Sequence, residues 1–301
     1  MLVPKLSLPQ RIKGSVVGSV EKVQLVWETV DRPAALLLSL CLGASPWTVR
    51  FRDGTAEVLT RRRDLYRIIH GHLFPYGRRL IRYNVRSLGR DVDLWTEGES
   101  TGDEVLGREI YMSLPVRGLT VIDVGANIGD SAVYFSLRGA REVLAFESDS
   151  DLCRIARENL FRNAVTNVTI QNFRITGLTA QIEPQDRARM QEIEGPILAG
   201  GGRSAPRTLT LDAILERIEG NDVTLKVDCE GSEYEALMST RSDLLSKVRH
   251  LQLEYHYGPT LLARFLERRG FTVKVSKPRY LVILPARDLL VVGDIWADRA
   301  G

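Results

Sequence analysis

From residue 119 onward, short apolar runs alternate with stretches of helical periodicity. Thr120-Val-Ile-Asp-Val124 reads as a strand, Asp130–Leu137 as a helix and Glu142-Val-Leu-Ala-Phe146 as a second strand. A helix over Asp151–Asn163 and a third strand, Asn167-Val-Thr-Ile170, follow. Beyond the glycine-rich stretch 200–202, the pattern predicts a helix over Leu211–Glu219 and a fourth strand at Val223-Thr-Leu-Lys-Val227. A helix starting near Ser232 leads to a fifth strand, His250-Leu-Gln-Leu-Glu254, and Leu261–Arg269 is helical up to Gly270. Phe271–Val275, Tyr280–Pro285 and Leu289–Val292 are further strand candidates, with no clear helix between them. Strands separated by helices of this length make βαβ units, hence an α/β domain whose mostly parallel sheet carries helices on both faces. The late strands fit an edge that turns antiparallel.

The N-terminal third is patterned differently. Residues 1 to about 45 read as helical, with Pro33 at a helix start and Gly43 as a stop. Trp47–Phe51 and Thr55–Leu59 alternate in polarity around Asp53-Gly54, the signature of a hairpin. The chain therefore divides into residues 1–105, a helical and hairpin region open to a substrate-related role, and residues 106–301, the α/β domain. The apolar run Pro33–Gly43 is far short of the ~20 residues that a membrane span needs. Cys41, Cys153 and Cys229 are scattered without metal-ligand spacing, which fits reduced thiols and a cytoplasmic setting.

Charge changes the picture in one place. The net charge of +3 is too small to imply a nucleic-acid partner, but Arg61–Arg90 holds nine arginines against one acid, Asp64, with aromatic residues interleaved. That is the footprint of a polyanion-binding surface. The next fourteen residues bring six acids, from Asp91 to Glu104, and no base, so the two blocks are able to pair with each other.

Candidate chemistry lies at strand ends. Val121-Ile-Asp-Val-Gly-Ala-Asn-Ile-Gly-Asp130 closes the first strand with a glycine turn. A dinucleotide fingerprint needs a middle glycine against the pyrophosphate, and Asn127 stands there instead. S-adenosylmethionine (SAM) has no phosphate but carries an ammonium and a sulfonium, for which Asp123 and this turn are better suited. Glu147, 22 residues beyond Gly125, ends the second strand, where an acid accepts hydrogen bonds from both ribose hydroxyls. Asp123, Gly125, Ala126, Asn127, Gly129, Asp130, Glu147 and Ser148 are the candidate cofactor residues.

Lys226-Val-Asp-Cys-Glu-Gly231 ends the fourth strand at the crevice where open α/β sheets bind ligands. Asp228 and Glu230 are candidate site acids there, with helix capping as the alternative; for Glu233 capping is the favoured role. Glu254 and His256, two apart on the fifth strand, share a face and come near Asp228 if the two strands adjoin. His256, Asp228 and Glu230 are thus the candidate catalytic residues, with His256 as general base or as a structural histidine. Asp228 and Glu254 are candidate ligands for a divalent metal.

At these residues the chain resembles the FkbM family of SAM-dependent methyltransferases. The resemblance covers about Glu109 to Val275 and rests on Glu109-Ile-Tyr111, Asp123–Asp130, Phe146-Glu147, Thr210-Leu-Asp212, Lys226–Gly231 and Glu254-Tyr-His256. It implies a class I methyltransferase (Rossmann-like) fold, a seven-stranded sheet with its last strand antiparallel, and methyl transfer mostly to hydroxyl oxygens of small metabolites, sugars or lipids. Ser148 stands where the family has proline, and Gln171–Arg174 lacks the small residue often found near the adenine. Two alternatives stay open: an RNA methyltransferase served by the Arg61–Arg90 block, and a non-catalytic module that keeps the SAM fold.

Overall fold

A computed structural model describes residues 30–42, 47–52, 56–59, 65, 79–96, 102–191, 207–283 and 288–299. The first elements are helix α1 (Pro33–Leu42) and the antiparallel strands β1 (Trp47–Arg50) and β2 (Ala56–Leu59), as expected from the pattern. They share a small core of Val30, Leu36, Leu40, Trp47, Val49, Phe51 and Leu59. The expected helix before residue 30, the Asp53-Gly54 turn and most of the Arg61–Arg78 stretch lie outside the described residues.

Strands β3 (Arg79–Val85) and β4 (Arg90–Thr96) form an antiparallel hairpin where the sequence pattern shows only opposed charge blocks. The blocks do pair: the Arg82 guanidinium donates two hydrogen bonds to Asp93, at 2.7 and 2.9 Å, and Asn84 donates to Asp91 at 2.8 Å. On the other face Tyr83, Val85, Val92 and Leu94 join the same core as Val121, Val143 and Ile155. That core crosses the expected boundary at residue 105.

The α/β unit runs β5 (Thr120–Val124), α2 (Asp130–Leu137), β6 (Glu142–Glu147), α3 (Ser150–Arg162), β7 (Val168–Asn172), β8 (Arg174–Thr176), α4 (Pro184–Gln191), β9 (Thr208–Thr210), α5 (Leu211–Leu215), β10 (Val223–Val227), α6 (Glu233–Met238), α7 (Ser242–Leu245), β11 (Val248–Tyr255), α8 (Thr260–Arg268), β12 (Thr272–Val275), β13 (Arg279–Ile283) and β14 (Asp288–Asp298). Seven strands lie side by side in the order β12-β14-β11-β10-β5-β6-β7. Strands β5, β6, β7, β10 and β11 are parallel, and β14 runs antiparallel to both β11 and β12. The sheet has an eighth strand beyond the expected seven. Strand β14 is long enough to pair with β12 through residues 295–298 and with β13 through residues 288–292. Strands β5 and β10 are buried along their whole length, which is why their apolar runs are nearly continuous. Successive residues feed opposite faces: Val121 packs in the α2/α3 core, Ile122 and Val124 in the core with α6 and α8.

Two asparagines one helical turn apart dock the β3–β4 hairpin onto α3. The Asn159 side-chain oxygen accepts from Trp95 N–H at 2.6 Å, and its side-chain amide donates to the carbonyls of Trp95 (3.0 Å) and Ile128 (2.8 Å). Asn163 repeats the pattern on Asp93, at 3.2 and 2.8 Å. Asn159→Ala strands three main-chain groups at a buried contact and is expected to cost about 2–3 kcal/mol. Urea denaturation would show it as a lower midpoint at unchanged slope.

Candidate active site

The chain leaves β5 toward β6 and β7 on one side and returns as β10 and β11 on the other, so a crevice opens at the carboxyl ends of β5 and β10. A cavity of about 490 Å³ occupies it. Its lining differs across the sheet: Phe146, Leu152, Phe173 and Ile175 follow from the β6/β7 side, and Asp228, Glu230 and Glu254 from the β10/β11 side, its acidic end.

The glycine turn after β5 forms the floor. Gly125 has φ +77° and lies so close to β10 that a Cβ there would meet the Asp228 carbonyl oxygen at 1.7 Å, so only glycine fits. Asn127, with φ +48°, directs its N–H to Glu147 Oε2 at 2.9 Å. The other oxygen of Glu147 accepts from Asp149 N–H at 2.8 Å and from the Ser148 hydroxyl at 3.3 Å. The carboxylate thereby ties the two loops together while facing the cavity, and its oxygens retain acceptor capacity.

Asp130 opens α2 at the cavity wall, 3% exposed, and burial pushes its pKa up to about 6 against the pull of Lys226. Asp123 and Tyr111 are the other titratable groups near it. An acid whose folded pKa exceeds its unfolded value of about 4 holds its proton more tightly when folded. Stability therefore falls as pH rises from about 4 to about 6, and the whole penalty applies above that. Asp130→Asn should raise stability at pH 8 by on the order of 2–3 kcal/mol and flatten that slope, which denaturant titrations at several pH values would check.

Asp123 and Lys226 are register neighbours on β5 and β10. Both are buried, with Lys226 Nζ 3.1 Å from Asp123 Oδ1, while Asp123 Oδ2 accepts from the Ser131 hydroxyl at 2.6 Å. Nζ also donates to the carbonyls of Val124 (3.2 Å) and Gly125 (2.6 Å), so the lysine clamps the turn. Burial opposes its charge, but Asp123, Tyr111 and Asp228 outweigh burial and hold its pKa well above the usual lysine value. Asp123 thus sits behind the turn rather than on the cavity wall. Its near partner is Lys226, and the ligand-facing place expected for it is not the one it occupies.

At the acidic end, Glu233 is fully buried. Its Oε1 accepts from the His256 backbone N–H at 3.1 Å and pairs with His256 Nδ1 at 2.8 Å, while its Oε2 accepts from Gly231 N–H at 2.8 Å. His256 Nε2 faces Glu230 at 3.4 Å and Glu254 at 3.9 Å. Burial disfavours the charged ring, but Glu230 and Glu233 more than offset it, and the His256 pKa is pushed up to about 11. A histidine that keeps its proton at neutral pH, and that does not line the cavity, is not the general base expected of it. Burial and Asp228 push Glu254 up to about 7, against His256 and Arg279, and burial likewise raises Asp228. The donor atoms of Asp228, Glu254 and His256 lie within 4.8 Å of one another. Glu230, with φ +54°, is the second cavity-lining residue besides Asn127 held in the left-handed region without being glycine.

Of the expected residues, Gly125, Asn127, Asp130, Glu147, Ser148, Asp228, Glu230 and Glu254 line one cavity. Ala126 and Gly129 shape the turn from behind: Ala126 N–H donates to Phe146 O at 3.0 Å, and Gly129 backs onto Ala156. Glu233, read from the sequence as a helix cap, instead holds His256, Lys226 pairs with Asp123, and Phe173 and Ile175 add an apolar wall that the sequence pattern does not show.

A doubly wound sheet in this strand order, with an acid and a glycine turn at its switch point in place of a phosphate fingerprint, defines a SAM-dependent methyltransferase of class I. Residues 123–273 match the methyltransferase FkbM domain, half of the chain, and the chain belongs to that family. It is also 28% identical over 151 residues to the ribosomal protein L11 methyltransferase of Streptococcus mutans, a match covering 44% of this chain and 45% of that protein. The matched stretches span less than half the length of the curated relatives. Among solved structures, precorrin-6y C5,15-methyltransferase from Geobacter metallireducens overlaps 62% of this chain and 82% of its own, at 15% identity and a TM-score of 0.36. The SMU.1697c protein of Streptococcus mutans, solved in complex with SAH, overlaps 66% of this chain and 99% of its own, at 14% identity and a TM-score of 0.38. The family's cofactor is SAM, and the cavity fits it chemically. Glu147 faces the cavity with acceptor capacity that ribose hydroxyls would use, apolar side chains offer a wall that would suit a base, and the acids would suit a cation. Among the described residues, no helix is long and apolar enough to cross a membrane.

Proposed function

We propose that this chain transfers the methyl group of SAM to a hydroxyl oxygen of a small metabolite, sugar or lipid. One observation carries the proposal: a single cavity joins the Gly125 turn and Glu147 to the carboxylates Asp228, Glu230 and Glu254, so that donor and acceptor meet in one space. In this account Glu147 receives the ribose hydroxyls, and the Gly125–Asp130 turn with Ser148 holds the rest of the donor. Phe173, Ile175 and Leu152 hold the base. When bound, SAM supplies an electrophilic methyl group on its sulfonium.

Transfer to oxygen is an in-line displacement, so holding the acceptor against that methyl is the main contribution of the protein. The acidic end receives the acceptor's hydroxyl, and its exposed carboxylate, Glu230, lies within the same cavity to take the proton. His256 is a positioning residue, fixed by Glu233 and in turn fixing Glu230. The reaction belongs in the cytoplasm on this reading. The test is incubation of the protein with methyl-labelled SAM and a cell extract, followed by fractionation. Label in small hydroxylated molecules or lipids supports the proposal. Label confined to RNA would favour the basic-block alternative, and no transfer to any fraction would favour a non-catalytic module.

A further inference from the structure

The acidic end holds more charge and more order than proton removal requires. Four carboxylates, Asp228, Glu230, Glu233 and Glu254, surround His256. Arg279 meets Glu254 at 2.7 Å, and Lys226 is committed to Asp123. Among the described residues, the Asp228 carboxylate makes no hydrogen bond or ion pair, although it offers an oxygen within 4.8 Å of donor atoms of Glu254 and His256.

We propose that Asp228, Glu254 and His256 bind one divalent metal ion beside the acceptor end of the cavity, which Asp228 and Glu254 line. Their donor atoms lie within 4.8 Å of one another, a spread that an ion with bonds of about 2.0–2.6 Å bridges. The histidine is prepared as ligating histidines are. Its Nδ1 is held at 2.8 Å by the buried Glu233 carboxylate, which fixes the ring and presents Nε2 to the other donors. An ion on Nε2 takes the place of the ring's second proton and of its contact with Glu230. Two carboxylates and one imidazole suit Mg²⁺, Mn²⁺, Fe²⁺ or Zn²⁺, and no thiolate is present to favour softer ions.

The proposal rests on the methyl-transfer reading only for what the ion does, not for whether it binds. Held on the ion, the acceptor oxygen has a lowered pKa and passes its proton to Glu230. The oxygen's electron pair then forms the new C–O bond as the C–S bond breaks and its pair returns to sulfur.

The experiment uses the full chain, stripped with a chelator, and Mn²⁺ as the probe, with free Mn²⁺ followed by paramagnetic resonance. One saturable site is expected in the wild type. Asp228→Asn and Glu254→Gln should each lose it, and Glu233→Gln, outside the ligand set, should weaken it about 10–100-fold. Glu254→Gln should still bind S-adenosylhomocysteine, which shows that the variant is folded. No saturable Mn²⁺ site in the wild type, or a site in Asp228→Asn and Glu254→Gln as tight as the wild type's, overturns the proposal. Failure of the methyl-donor reading would look different, as loss of S-adenosylhomocysteine binding with the Mn²⁺ site intact.

Discussion

Lys226→Met should destabilise the chain by about 3–5 kcal/mol, because it leaves a buried carboxylate without its countercharge. Lys226 and Asp123 are 2% and 0% exposed, so neither group recovers solvation by a small movement. The methionine roughly preserves volume, so lost packing contributes little, and the loss is electrostatic. It also removes the donor for the Val124 and Gly125 carbonyls, which loosens the turn beneath the cavity. Replacing both partners, as Asp123→Leu with Lys226→Met, should recover most of the stability, since an apolar pair of similar size often substitutes for a buried ion pair at little cost. Urea denaturation of the two variants checks this. A single variant as stable as the wild type would mean that the pair does not hold the turn.

Glu147→Ala should weaken S-adenosylhomocysteine binding by on the order of 100-fold or more, roughly 3 kcal/mol. Two causes act together. The variant lacks the acceptor for the ribose hydroxyls, and it strands the N–H groups of Asn127 and Asp149, now held at 2.9 and 2.8 Å. Those two bonds keep the glycine turn and the loop after β6 at their present separation. Glu147→Gln should fall between wild type and alanine, since its single carbonyl oxygen satisfies one loop but not both. Calorimetric titration of the three proteins gives the ranking. An alanine variant that binds like the wild type would remove Glu147 from the site.

The parts legible in the sequence are those whose signal is local. Strand β5 shows as a mostly apolar run because both its faces are buried, and Gly125 and Glu147 announce themselves by standing at strand ends at fixed spacing. The β3–β4 hairpin escaped notice because its outward positions carry Arg82, Asn84, Asp91 and Asp93, which read as charge blocks. The alternation of these with Val85, Val92 and Leu94 was the available signal. Glu233 looked like a helix cap since an acid in the first turn of a helix is stabilising anyway. Its partner, His256, lies 23 residues on and meets it only through the β10–β11 pairing. The charges Asp123 and Lys226, set within apolar strands, were costly enough to demand partners, and adjacent strands supplied them to each other. The Phe173–Ile175 wall depends on β8 pairing with β9, more than thirty residues away, which no local pattern reveals.

The central claim is that the cavity between the Gly125 turn and the Asp228 acids is a site for SAM and not for a dinucleotide. Equilibrium dialysis of the wild-type chain against labelled SAM tests it most directly, with unlabelled S-adenosylhomocysteine or NAD as competitor. Retained label that S-adenosylhomocysteine displaces and NAD leaves in place is the predicted result. No retained label, or displacement by NAD as readily as by S-adenosylhomocysteine, would contradict it.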